Sequence, residues 1–135
     1  MSNIIQSAIF LFLYIRYDRH NIIIEVVKQV TRAFRSNDVI GRIGGDEFIV
    51  FVRNVRNPED QIKQAKKLHE VLRQPVVIDG KTINKSASIG IALYPDHADS
   101  YEKLIECADE AMYKAKNSGR NAIVYKDCTG CRAGK

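Results

Sequence analysis

In the stretch RIGGDEFIV, residues 42–50, two glycines and two carboxylates stand together between an apolar approach and an apolar exit. Gly44 and Gly45 lack a Cβ and can take φ above zero, so a bend built from them lets a phosphate come close to the backbone. Asp46 and Glu47 then stand at the lip of the bend. Hard divalent cations such as Mg2+ want oxygen ligands, and in nucleotide sites they take one or two carboxylates, with water and phosphate supplying the rest. A metal held there would neutralise developing charge and help activate an attacking hydroxyl, with a neighbouring carboxylate as base. Against this, glycines and acids are ordinary turn residues, and adjacent carboxylates are commonly just solvated.

The elements that must position this bend follow from periodicity. Residues 8–15 are a continuous apolar run of β-formers, as in a strand covered on both faces. Ile23, Val26, Val27, Val30 and Phe34 recur at helical spacing and predict a helix over about 20–34, ended by the polar cluster Arg35–Asp38. A short strand into Ile43 and a returning strand from Phe48 to Val52 make a hairpin with GGDE at its bend. Pro58, Glu59 and Asp60 open a second helix whose expected buried face is Ile62, Ala65, Leu68 and Val71. Asp79-Gly80 turns a small hairpin, ASIGIAL at 87–93 reads as a second buried strand, and Ser100 caps a third helix running to about Asn117, with Gly119 closing it. Val124 and Tyr125 end the core. The alternation predicts an α/β sandwich around a mostly antiparallel central sheet flanked by helices.

Composition narrows the function classes. The chain of 135 residues is one domain's worth, with 45% apolar and 27% charged residues, the balance of a soluble globular protein. A net charge of +5 favours anionic ligands such as nucleotides, but no aromatic-interleaved basic stripe points to nucleic acid. Three cysteines leave one unpaired and make no disulfide framework, which points to a reducing compartment and a cytoplasmic location. Cys128 and Cys131 form a lone C-x-x-C read as part of an exposed tail. SAIFLFLYI is too short to span a bilayer and has no basic start, so no membrane segment is expected. His69 and His97 have no partner at metal-ligand spacing and read as surface or core histidines, and Met112 and Tyr113 as packing on an apolar helix face.

Three separated segments, Arg42–Phe48, Ser88–Ala92 and residues 108–121 (ADEAMYKAKNSGRN), resemble in order the signature of the GGDEF family of diguanylate cyclases. The resemblance implies a nucleotide-cyclase-like fold over residues 1–127, incomplete at the N-terminus, with 128–135 as a tail. It implies condensation of two GTP into cyclic di-GMP in second-messenger signalling, by a homodimer, with Mg2+ or Mn2+. Sensor or phosphodiesterase domains in a longer parent protein are implied as partners. By the same resemblance Gly44 and Gly45 would lie against the phosphates, Asp46 and Glu47 would hold the metal, and Glu47 would assist deprotonation of the ribose hydroxyl. Lys116 and Arg120 match the phosphate contacts; four residues apart at a helix end they share a face, although by pattern alone they simply complement the helix C-terminus.

The family also carries a strand-borne aspartate that completes the metal site, then an Asn and an Asp that read guanine. Counting back from Glu25-Val26-Val27, these fall near Ile9 or Ser7, at Ile15 and at Ile24; a slip of register would give Asp18 or His20 a polar role, but no Asp precedes position 18. Isoleucine offers guanine no hydrogen bond, which costs about 1–3 kcal/mol per unpaired group. Activity is therefore expected to be weak or absent. Arg35-Ser36-Asn37-Asp38 matches the family's R-x-x-D site for cyclic di-GMP: an arginine can donate twice to guanine O6 and N7, a carboxylate can accept from N1 and N2, and Lys66 or Lys67 could add a phosphate contact. The alternative function is thus a non-catalytic cyclic di-GMP-binding regulatory module; the bland alternative is a basic helix end followed by an Asx turn.

Overall fold

The computed structural model describes residues 8–17, 22–36, 38–96, 98–118 and 122–125. Its elements run β1(Ala8–Tyr17), α1(Ile23–Arg32), β2(Val39–Arg42), β3(Glu47–Arg53), α2(Pro58–Leu72), β4(Val76–Ile78), β5(Lys81–Ile83), β6(Lys85–Tyr94), α3(Tyr101–Asn117) and β7(Ile123–Tyr125). Five strands form one sheet in the order β2-β3-β1-β6-β7, antiparallel except for the parallel β6–β7 pair, and β4–β5 form a separate ribbon. This is the expected sandwich with a mostly antiparallel sheet.

β1 is the middle strand, bonded to β3 on one edge and β6 on the other. Its side chains alternate between two cores. Ile9, Leu11, Leu13 and Ile15 pack with Val26 and Val30 of α1 and Leu68 and Leu72 of α2, whereas Phe10 and Phe12 pack with Leu104, Cys107, Ala108 and Met112 of α3. Both faces being covered explains why the strand reads as an unbroken apolar run.

The helices begin where local chemistry dictates. Asn57 accepts from the Glu59 amide at 3.1 Å with Pro58 following, and Ser100 accepts from the Lys103 amide at 3.2 Å. Asp79 and Gly80 take φ of 53° and 78°, the two left-handed residues that a tight hairpin turn needs. Several expected core positions sit on flanks instead. Val27 of α1, Val71 of α2 and Tyr113 of α3 are exposed, and α2 turns His69 and Leu72 inward beside Ala65 and Leu68. A period of 3.6 residues leaves apolar residues at the edge of the stripe, and the packing partner decides which edge is covered. His69 is a satisfied core histidine, its Nε2 3.0 Å from the Ala87 carbonyl oxygen. Cys107 is fully buried. His97, Gly119, Cys128 and Cys131 lie outside the described residues.

Two contacts set how the helices sit. A Cβ on Gly90 of β6 would lie 2.2 Å from Met112 N and 2.3 Å from Ala108 O, so α3 rests its backbone on that glycine. On the other face, Lys85 Nζ donates to the Leu72 carbonyl at 2.5 Å and the Val71 carbonyl at 3.2 Å, tying β6 to the end of α2. Burial lowers the Lys85 pKa from its ordinary 10.5, partly opposed by Glu25 of α1.

Gly90→Val is expected to remove more than about 4 kcal/mol of stability in urea denaturation, because the obstruction is backbone and cannot rotate away. For Lys85, a pKa depressed by folding means that the unfolded chain binds more protons as pH passes between the folded value and 10.5. The stability of wild type relative to Lys85→Met is therefore expected to rise with pH through that window, as compared by denaturation at neutral and alkaline pH.

Candidate functional site

The bend joins β2 to β3 and is held on two sides. Ile43 N–H donates to the Glu47 carbonyl at 2.9 Å, and Ile15 N–H of the neighbouring β1 donates to the Asp46 carbonyl at 2.8 Å. Arg42 spans the loop: its Nε donates to the Gly44 carbonyl at 3.1 Å and its Nη2 to the Gly45 carbonyl at 3.2 Å. The guanidinium fork thus fixes the bend by its carbonyls, a role that the sequence reading did not assign to Arg42. Neither glycine has φ in the left-handed region, and a Cβ on either would meet nothing within 4 Å. The bend is open to approach from outside, and the fold itself does not demand glycine there.

Asp46 is exposed and Glu47 half-buried. Glu47 begins β3 on the α3 face, where the cross-strand row runs from Glu47 to Tyr14 of β1 and on to Ser88 of β6. Directly opposed residues have Cβ atoms about 5 Å apart, so Tyr14 is the β1 side chain nearest Glu47. Lys116, in the last turn of α3, reaches the same row: its ammonium lies 3.9 Å from the centroid of the Tyr14 ring, a cation–π contact. The Ser88 hydroxyl is fully buried with no hydrogen-bond partner. Arg120 lies outside the described residues, so of the expected phosphate pair only Lys116 is placed.

The register corrects the count made back from Glu25. Ile9 pairs with Val52, at the far end of β3 from the bend, and is fully buried; Ile24 is exposed on α1. Ile15 is near the bend through its amide, but its side chain is in the α1–α2 core. The position facing Glu47 is Tyr14, five residues beyond Ile9. Only residues 18–22 separate β1 from α1, and this short connection is what the count did not allow for. Strand alternation together with pairing of residues 8–17 against 47–53 would have found Tyr14; a linear count could not. Ser7, Asp18 and His20 lie outside the described residues.

At the opposite end of the hairpin, Arg35 and Asp38 form a closed turn. The Arg35 amide donates to the Asp38 carboxylate at 2.9 Å and the Asp38 amide to the Arg35 carbonyl at 3.1 Å. The exposed Arg35 borders a cavity of about 550 Å³ together with Arg53 at the end of β3, Arg56 of the β3–α2 connection, and Asn57, Asp60 and Gln61 at the start of α2. Lys66 and Lys67 do not line it; Lys67 borders a separate groove of about 640 Å³ between α1 and α2. The basic companions of Arg35 are therefore Arg53 and Arg56, which no spacing rule singled out because they come from the end of β3 and the connection after it.

The profile of the family described as "Diguanylate cyclase, GGDEF domain" matches residues 20–122. The chain is 40% identical over 104 residues to the bifunctional diguanylate cyclase/cyclic di-GMP phosphodiesterase MucR of Pseudomonas aeruginosa, covering 77% of this chain and 15% of MucR. It is 37% identical over 110 residues to the diguanylate cyclase DosC of Escherichia coli, covering 77% of this chain and 24% of DosC. It spans less than a quarter of the length of these curated relatives. The crystal structure of the GGDEF domain of TpbB from Pseudomonas aeruginosa superimposes with a TM-score of 0.81 at 29% identity, covering 90% of this chain and 83% of that one.

Gly45→Ala is expected to leave folding stability unchanged or to raise it by about 0.4–1 kcal/mol, since alanine reduces the freedom of the unfolded chain and meets no obstruction here. Urea denaturation checks this; a loss above about 1 kcal/mol would mean that the bend needs its glycine for folding.

Proposed function

This chain belongs to the GGDEF diguanylate cyclase family, and from that premise we propose that it is a member in which condensation of two GTP to cyclic di-GMP is weak or absent and recognition of cyclic di-GMP remains. The general activity of the family is GTP to cyclic di-GMP, with a divalent metal. The donor set of this chain does not fit that metal. Asp46 and Glu47 stand at the bend, the β1 neighbour that would complete them is Tyr14, and no group of three or more His, Cys, Asp or Glu among the described residues is arranged to hold an ion. Gly44, Gly45, Lys116 and Arg120 keep the phosphate contacts that the resemblance gives them, and Asp46 and Glu47, the metal and catalytic residues by resemblance, stand as remnants of that triphosphate site.

The single observation that carries the recognition function is the Arg35–Asp38 turn beside the cavity that also bears Arg53 and Arg56. One oxygen of the Asp38 carboxylate is engaged by the Arg35 amide, which fixes the group while leaving the other oxygen to accept from guanine N1 and N2 protons. The Arg35 guanidinium is left to donate to guanine O6 and N7. Arg53 and Arg56 add the positive charge that a cyclic dinucleotide's two phosphates call for. Among the described residues no helix is long and apolar enough to cross a membrane. A cytoplasmic location, a homodimer, and a longer parent with sensor or phosphodiesterase modules belong to the same proposal; the last draws on the two activities in the name of MucR.

Isothermal titration of cyclic di-GMP is expected to show binding that Arg35→Ala weakens at least about tenfold, roughly 1.4 kcal/mol. Absence of binding, or binding indifferent to the substitution, removes the sensor. In parallel, GTP with Mg2+ is expected to yield little or no dinucleotide; robust turnover abolished by Glu47→Gln would show the catalytic site to be intact.

A further inference from the structure

We propose that Tyr14 is a specificity-determining residue that keeps a divalent cation out of the hairpin site, by holding the Lys116 ammonium over the strand position from which a metal site would have to be completed. This rests on the hairpin being a former triphosphate site, as argued above. Tyr14 is the direct cross-strand neighbour of Glu47, so any β1 group sharing an ion with Glu47 must project from there. A neutral phenol is a poor substitute for the carboxylate oxygen that a hard cation takes. The ring does provide a face for an ammonium, and Lys116 lies on it at 3.9 Å.

No neighbour on β1 offers a way round. Leu13 and Ile15 point into the opposite core, and Arg16, the next residue on the Tyr14 face, is basic and exposed. An incoming divalent ion would have to approach the Lys116 ammonium and settle on two carboxylates, one of them exposed. The row therefore carries its own monovalent cation. A phosphate tail lodged between the glycine bend and Lys116 would be taken with no divalent ion.

The test is Mn2+ binding to the whole chain with metal alone, followed by electron paramagnetic resonance. Wild type is expected to leave the Mn2+ signal free. Tyr14→Asp should gain a saturable site at least about tenfold tighter, and adding Glu47→Gln to that variant should remove it. Lys116→Glu changes a half-exposed residue at a helix end, spares the β1 core and should also gain Mn2+ binding, so it decides the matter if Tyr14→Asp loses its folded circular-dichroism spectrum. Saturable Mn2+ binding by wild type that Glu47→Gln weakens, or folded variants that gain nothing, overturns the proposal. Cyclic di-GMP titration is read separately at Arg35: its failure would count against the function proposed above and leave the Mn2+ result standing.

Discussion

The position of β1 in the middle of the sheet is the constraint on which the rest depends. A strand bonded along both edges has no freedom to slide, because a shift of one residue would carry Ile9, Leu11, Leu13 and Ile15 out of the α1–α2 core and bring Phe10 and Phe12 into it. That alternation fixes the register against β3, and the register in turn fixes which side chain stands beside Glu47. The side chains that meet at the bend are thus decided by packing along the whole of β1. The same rigidity is passed to α3 through Gly90, whose missing Cβ lets the helix backbone lie on β6 and so carries the last turn, with Lys116, onto the row of Tyr14.

How much of this the sequence discloses depends on the distance over which each feature is encoded. The hairpin at 42–50, the Asp79-Gly80 turn, the helix start at Pro58 and the cap at Ser100 are set by residues within a few positions of one another, and all are legible. The helical faces are legible only to their edges, since whether Val27, Val71 or Tyr113 is covered depends on a partner remote in sequence. The site divides in the same way. Asp46 and Glu47 are recognisable locally, whereas Tyr14 becomes their neighbour only through antiparallel pairing across more than thirty residues, and a count along the chain lands on Ile9 instead. Arg53 and Arg56 escape notice for a related reason: they join Arg35 by the folding back of β3, with no motif to mark them.

Lys85 shows that an unfavourable charge can be retained where it meets an obligation of the backbone. The last turn of a helix has carbonyls without intrahelical donors, and on a buried helix end these need partners. Lys85 supplies them to Val71 and Leu72, and Glu25 across the groove offsets part of the desolvation that depresses its pKa. A cation is well placed at the negative end of the α2 dipole, which makes this a structural lysine, distinct in role from Lys116.

The two candidate sites occupy opposite ends of one hairpin. Arg35 and Asp38 precede β2 and face the loop that leaves β3, whereas Gly44–Glu47 form the closed end; the seven residues of β3 separate them by roughly 20 Å. Each depends on different supports. The closed end needs the β1 register and the end of α3, while the open end needs the turn after α1 and the start of α2. Tyr14 belongs to the first set and has no part in the second. The two parts of the proposed function, weak metal chemistry at the bend and recognition at the arginine-lined pocket, therefore rest on physically independent supports, and a single domain can combine them without strain on the sheet that joins them.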